Sequence, residues 1–130
     1  MSRTGDILVV DDEVNIVDLV VDLLQDEGYT VHSALNGAEA LRLIAEQRPA
    51  LILMDMYMPQ MTGLTLLEHL HDQGIFDIPV ILMTASPRVA QEFSANVTVD
   101  YLAKPFDIEE LLSCVSRYLL PPNSNPTIIT

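Results

Sequence analysis

Three aspartates and one lysine stand out by residue type and position. Asp11 and Asp12 follow the apolar run Ile7-Leu8-Val9-Val10, and Asp55 follows Leu51-Ile52-Leu53-Met54. Lys104, the only lysine in 130 residues, lies in Tyr101-Leu102-Ala103-Lys104-Pro105-Phe106. Its compact, strongly hydrated ammonium suits a phosphoryl oxygen or a carboxylate. Three carboxylates gathered within ~5 Å of one another repel by about 3 kcal/mol per pair at an effective dielectric of ~20. Such a group tends to hold a proton or bind a cation. Hard oxygen ligands select Mg²⁺, Mn²⁺ or Ca²⁺ over softer metals. Mg²⁺ typically takes one or two carboxylates and leaves other positions to water and substrate phosphate. Asp11 and Asp12 are neighbours in an extended segment and are expected to point opposite ways, so that one ligates directly and the other through water. The plainer use of Asp12 is as a cap on a helix starting near Glu13.

These groups meet only if the strands before them end on one edge of a sheet. Segments 7–10, 51–54 and 79–83 are continuous apolar runs, the pattern of parallel strands covered on both faces. Segments 30–34 and 97–102 are less apolar and read as edge strands. Between them, Val14, Val17, Val20, Val21 and Leu24 recur at helical spacing before Gly28. Ala38, Leu41, Ile44 and Ala45 form a second stripe before Pro49. Leu64, Leu67 and Leu70 form a third before Gly74. Ile108, Leu111, Leu112, Val115 and Leu119 form the last before Pro121. A short helix of about two turns is expected at Val89, Ala90 and Phe93, and residues 121–130 read as a disordered tail or the start of a linker. Five β–α units imply an α/β fold, a doubly wound parallel sheet with right-handed crossovers. Ligands of such sheets sit beyond the carboxyl ends of the strands, where strand order reverses. Asp11, Asp12, Asp55, Thr84 and Lys104 all fall on that edge.

Bulk properties narrow the partners. The formal charge is −13, a field that repels nucleic acid and anionic membrane, so neither direct nucleic-acid binding nor membrane insertion is expected. A cation or a basic protein patch is favoured instead. One cysteine, Cys114, excludes an internal disulfide framework and fits a reducing, cytoplasmic compartment. The amino terminus lacks a signal-peptide pattern, and no apolar run approaches the ~20 residues of a membrane span. His32, His69 and His71 have no zinc-ligand spacing and read as surface residues. Cys114 reads as inert packing in the last helix.

The ordered set Val9-Val10-Asp11-Asp12-Glu13, Asp55-Met56-Tyr57-Met58-Pro59 with Gly63, Met83-Thr84-Ala85, and residues 101–106 resembles the receiver domain of two-component response regulators. The resemblance covers about residues 5–120. It implies a flavodoxin-like (βα)5 sheet with strand order 2-1-3-4-5, and a receiver domain over residues 1–120. It implies that Asp55 accepts a phosphoryl group from the phosphohistidine of a sensor kinase or a histidine phosphotransfer protein. Asp11, Asp12, Asp55 and the backbone carbonyl of Tyr57 would hold Mg²⁺ or Mn²⁺. Lys104 would pair with Asp55 and then with a phosphoryl oxygen, and Thr84 would donate its hydroxyl to another. Tyr101 would rotate inward as Thr84 moves, altering the face that a downstream protein target reads. Pro105 matches a cis-proline of the family, although trans is the commoner state of any X–Pro bond. Tyr57 could screen the acyl phosphate from water.

The chain is thus expected to be a phosphorylation-dependent switch rather than an enzyme with external substrates. It would catalyse only its own phosphorylation and slow autodephosphorylation. A phosphorelay intermediate, or the receiver part of a larger regulator, are the alternatives. A Mg²⁺-dependent phosphatase would need a second carboxylate beside the nucleophile, and Met56 and Tyr57 offer none. Two departures from the family pattern concern the signalling face. The stretch from Thr84 to Lys104 is short, and Ser94-Ala95-Asn96-Val97 replaces a glycine, with Asn96 expected to supply the left-handed conformation.

Overall fold

Apolar runs and cap residues divide the chain into alternating strands and helices. The structure, a computed structural model, describes residues 5–86, 88 and 100–120. Its strands are β1 (Asp6–Val10), β2 (Thr30–Ala34), β3 (Leu51–Asp55), β4 (Val80–Thr84) and β5 (Asp100–Ala103). Its helices are α1 (Val14–Asp26), α2 (Gly37–Glu46), α3 (Gly63–Asp72) and, last, α4 (Ile108–Ser116). All strand pairs are parallel, in the order β2-β1-β3-β4-β5. The doubly wound sheet read from the sequence is the one observed.

Strand alternation sends successive residues to two cores. Ile7, Val9, Leu51, Leu53, Ile81 and Met83 pack with Val20 and Leu24 of α1 and Leu111 and Val115 of α4. Leu8, Val10, Ile52, Met54, Val80 and Leu82 pack with Ala40 and Ile44 of α2 and Leu66 and Leu70 of α3. Burial on both faces is why these three strands are apolar except at their ends (Asp6, Asp55, Thr84), whereas β2 and β5 at the sheet edges mix in Thr30, His32 and Asp100.

Helix boundaries follow local chemistry. Asn36 opens α2 by accepting the Glu39 N–H at 2.8 Å, and Thr62 opens α3 by accepting the Thr65 N–H at 3.1 Å. At α4, Asp107 accepts the Glu110 N–H at 2.8 Å while Glu110 accepts the Asp107 N–H at 3.1 Å, a reciprocal capping box. Gly28, with φ 93°, turns the chain after α1 in a conformation a side chain would disfavour.

Several boundaries differ from the sequence pattern by a residue or more. β3 and β4 each run one residue further, to Asp55 and Thr84. The ladder continues there through Met56 N–H to the Met83 carbonyl at 3.0 Å and Lys104 N–H to the Thr84 carbonyl at 2.9 Å. α4 stops at Ser116, and Leu119 is still buried because its N–H bonds the Val115 carbonyl at 3.0 Å. The expected short helix at Val89, Ala90 and Phe93, Asn96, the first half of the fifth strand and the tail lie outside the described residues.

Candidate functional site

The carboxyl edge of the sheet assembles from the ends of β1, β3, β4 and β5. Asp11 is the first residue beyond β1 and is fully buried. Its Oδ1 accepts the Glu13 N–H at 3.0 Å, and its Oδ2 accepts from Lys104 Nζ at 3.2 Å. Asp55 ends β3, and its Oδ1 accepts from the same Nζ at 3.1 Å. Asp12 is exposed, yet one carboxylate oxygen from each of Asp11, Asp12 and Asp55 lies within 4.8 Å of the others.

This convergence corrects the expectation that Asp11 and Asp12 point opposite ways. The strand ends at Val10 and the chain bends at Asp12, so the alternation of an extended segment no longer applies. Asp12 is not a helix cap either. Glu13 is the N-cap of α1 and makes no side-chain cap bond; the carboxylate that takes the Glu13 N–H is that of Asp11.

The electrostatics are those of an unbalanced cluster. Burial pushes the Asp55 carboxyl above its ordinary range, and the neighbouring Asp11 and Asp12 charges push the same way; the Lys104 hydrogen bond and charge only partly oppose them. Burial pulls the Lys104 ammonium down, but its hydrogen bond to Asp55 and the charges of Asp11 and Asp55 outweigh that and raise it. Lys104 therefore stays charged at neutral pH. One ammonium, bonded to Asp11 and Asp55, in a cluster of three carboxylates leaves the cluster short of positive charge. Hard oxygens at this spacing, with charge uncompensated, fit a hard divalent cation such as Mg²⁺.

Other expected residues lie on the same strands or in the loops that follow them. Thr84 is buried at the end of β4, beside Ala103 in register, and its Oγ1 accepts the Ser86 N–H at 3.1 Å. Tyr101 is half-buried on β5 and packs against the core that includes Leu82 and Leu66. Tyr57 lies in the loop after Asp55 and is 58% exposed. Gly63 bonds the Met56 carbonyl at 2.8 Å, and a Cβ there would stand 2.8 Å from the Asp55 carbonyl oxygen, so glycine lets α3 start tight against the site. The Lys104–Pro105 peptide is cis, as the family resemblance implied.

His32, His69, His71 and Cys114 are not part of the cluster, as the sequence indicated. His32 bonds Asp6 at 2.9 Å, and His71 stacks on Phe76 at 4.9 Å. The sequence reading missed Asp100, which gathers Arg117 and Tyr118 across the start of β5. No spacing rule signals that pair, because it depends on how α4 docks.

Residues 7–116 match the response regulator receiver domain family. Sporulation initiation phosphotransferase F of Bacillus subtilis is 38% identical over 123 residues, covering 92% of this chain and 96% of the relative. The DNA-binding dual master transcriptional regulator RpaA of Synechocystis sp. is 38% identical over 117 residues, covering 87% of this chain but only 48% of the relative. The chain thus spans about half of RpaA. The chemotaxis protein CheY4 of Vibrio cholerae superposes with a TM-score of 0.81 at 36% identity, covering 90% of this chain and all of that one.

A five-stranded 2-1-3-4-5 sheet with an acidic cluster at its carboxyl edge defines a flavodoxin-like signalling domain. The chain belongs to the receiver domain family of two-component response regulators, phosphoryl-accepting switches that work with histidine kinases and bind Mg²⁺ at an acidic pocket. Among the described residues, no helix is long and apolar enough to cross a membrane.

Proposed function

We propose that Asp55 is the phosphoacceptor and that Asp11, Asp12, Asp55 and the Tyr57 backbone carbonyl hold the divalent cation, Mg²⁺ by preference and Mn²⁺ as a substitute. The observation that carries this reading is the gathering of three carboxylates within 4.8 Å of one another, two of them on one ammonium, with Lys104 Nζ 3.1 Å from Asp55 Oδ1 and 3.2 Å from Asp11 Oδ2. When bound, the cation neutralises charge on the phosphoryl oxygens and on the carboxylates. A carboxylate oxygen of Asp55 attacks phosphorus as the bond to the donor's imidazole nitrogen breaks; with the other ring nitrogen of the donor protonated, the electron pair stays on the departing nitrogen and the products are an acyl phosphate and a neutral histidine. Lys104, already held at Asp55, moves to an oxygen of the incoming group and screens its charge. Thr84 gives up its bond with Ser86 to donate to another oxygen, and Tyr101 follows.

The receiver unit spans residues 1–120 in this reading, with 121–130 a tail or linker. Support comes from the family match over 7–116 and from Leu119 as a late core residue. The chain turns over no external substrate. Its phosphodonor is a sensor histidine kinase or histidine phosphotransfer protein, and its output is a changed surface for a protein target. A cytoplasmic location suits its one unpaired, buried Cys114. A relay role is favoured by one finding: the likeness to a sporulation phosphotransferase extends over 96% of that protein. Back-transfer from the phosphorylated chain to a histidine phosphotransfer protein separates relay from terminal switch.

Incubation with Mg²⁺ and acetyl phosphate, read by intact mass, tests the chemistry. One added phosphoryl group, absent in Asp55→Ala and absent with chelator, is the expected result. An unlabelled wild type that nevertheless binds Mg²⁺ contradicts the reading.

A further inference from the structure

β5 is held at both ends by charged side chains. Beyond its carboxyl end, Lys104 reaches Asp11 and Asp55. At its amino end, Asp100 Oδ1 accepts the backbone N–H of Tyr101 at 2.8 Å. Asp100 Oδ2 accepts from Arg117 Nη1 at 2.7 Å and from the Tyr118 hydroxyl at 3.0 Å. Arg117 is the C-cap of α4 and Tyr118 follows it. One short carboxylate thus joins the first peptide of a four-residue strand to the end of a helix.

An exposed Arg–Asp pair alone contributes little. Here the side chain of Asp100 is only 21% exposed, and the same carboxylate also takes a backbone donor. Burial acts to raise its carboxyl, yet the Tyr101, Arg117 and Tyr118 hydrogen bonds hold it below the ordinary range. Beside the clasp, an open cleft of about 480 Å³ is lined by Tyr101 and Ala103 from β5 and Glu110, Ser113 and Arg117 from α4 and its cap. Beneath the cleft Leu102 shares the buried core with Leu111, Cys114 and Val115, and Asp100 adds a polar tie between the strand and the end of the helix. Hydrogen bonds weaken steeply with misalignment. A shift of the Tyr101 backbone must carry the end of α4 with it or break the clasp.

We propose that Asp100 couples Tyr101 to α4, so that phosphorylation at the far end of β5 is delivered to the carboxyl end of that helix. The inference rests on the reading of Asp55 as phosphoacceptor. Asp100 is a positioning residue in this scheme and touches no phosphoryl group.

The test compares wild type, Asp100→Asn and Tyr118→Phe as full chains, with and without Mg²⁺ and acetyl phosphate. Labelling is read by intact mass and amide hydrogen exchange by peptide. Wild type should change its exchange across residues 108–117 on labelling. Asp100→Asn should label at a rate within about twofold of wild type but lose about threefold or more of the α4 response, the scale of one lost hydrogen bond. Peptides around Thr84 should respond as in wild type. Tyr118→Phe removes a single hydroxyl and should give an intermediate loss, which keeps the test decisive if Asp100→Asn folds poorly. A wild-type α4 response in both variants, or no α4 response in labelled wild type, overturns the coupling alone. An unlabelled wild type overturns it together with the assignment of Asp55.

Discussion

Asp55 and Asp100 are both strand-terminal aspartates largely removed from water, and the fold treats them in opposite ways. Asp55 shares one ammonium with Asp11 and stands beside Asp12 as well, and burial with like charge holds its carboxyl above the ordinary range. Asp100 has a backbone N–H, a guanidinium and a phenol to itself, and they outweigh burial and hold its carboxyl below that range. A satisfied carboxylate is part of the scaffold. A carboxylate left short of positive charge is waiting for a ligand, and its deficit is the driving force for binding one.

The largest effect should come from the ammonium shared by Asp11 and Asp55. Lys104→Ala is expected to slow labelling by acetyl phosphate by about 100-fold, the scale of losing one preorganised donor to a developing charge. Mg²⁺ binding, followed by titration, should be unchanged or tighter, since Nζ occupies two of the proposed ligands. Loss of Mg²⁺ binding in this variant would mean that the lysine role is misassigned.

Cation binding should stabilise the fold only while the deficit exists. At 100-fold excess over its Kd, Mg²⁺ should add about 2.7 kcal/mol to wild-type stability. In Asp55→Asn the gain at the same concentration should be markedly smaller. Equal gains, measured by urea denaturation, would place the cation elsewhere.

Without divalent cations, the two aspartates should give stability changes of opposite sign. Asp55→Asn removes a repelled charge and should raise stability by about 1 kcal/mol; Asp100→Asn removes a satisfied one and should lower it by about 1 kcal/mol. Thermal melts in chelator decide this, and shifts of the same sign would erase the distinction.

The smallest effects lie in the pH profile. The depressed Asp100 carboxyl contributes stability that is fully present above the ordinary aspartate value, about 3.9, and lost as pH falls through its folded value. The gap between wild type and Asp100→Asn should therefore close in acid. Asp55 runs the other way: its raised carboxyl means that ionisation costs stability, and this cost is relieved as pH falls through its folded value. At the alkaline end, burial and the bond to Asp100 raise Tyr118 to about 12, and burial raises Cys114 to about 11. The neutral Tyr118 phenol contributes below its ordinary value, about 10, and that contribution is lost as pH rises towards 12. Tyr118→Phe should flatten that limb.

The same contrast explains what could be read in advance. The β1, β3 and β4 runs were legible because burial on both faces demands continuous apolar residues, and the strand-end rule then put Asp11, Asp55, Thr84 and Lys104 on one edge. Asp12 was legible on the same edge but its direction was not, because that depends on where the chain leaves the strand and bends. Nor was the extension of β3 and β4 by one residue, which depends on donors from Met56 and Lys104 across the sheet. The Asp100 clasp spans 17 residues to Arg117 and exists only once α4 has docked. Ligand-binding charge leaves a pattern in sequence because it clusters at strand ends; scaffold charge is set by tertiary packing and leaves none.

The most direct measurement is the position of the acyl phosphate itself. Borohydride reduces an aspartyl phosphate to homoserine, which peptide mass mapping locates to a residue. After treatment with acetyl phosphate and Mg²⁺, homoserine is expected at position 55 alone, and nowhere when chelator replaces Mg²⁺. Homoserine at position 11 or 12, or at position 55 with equal yield in chelator, would contradict the account.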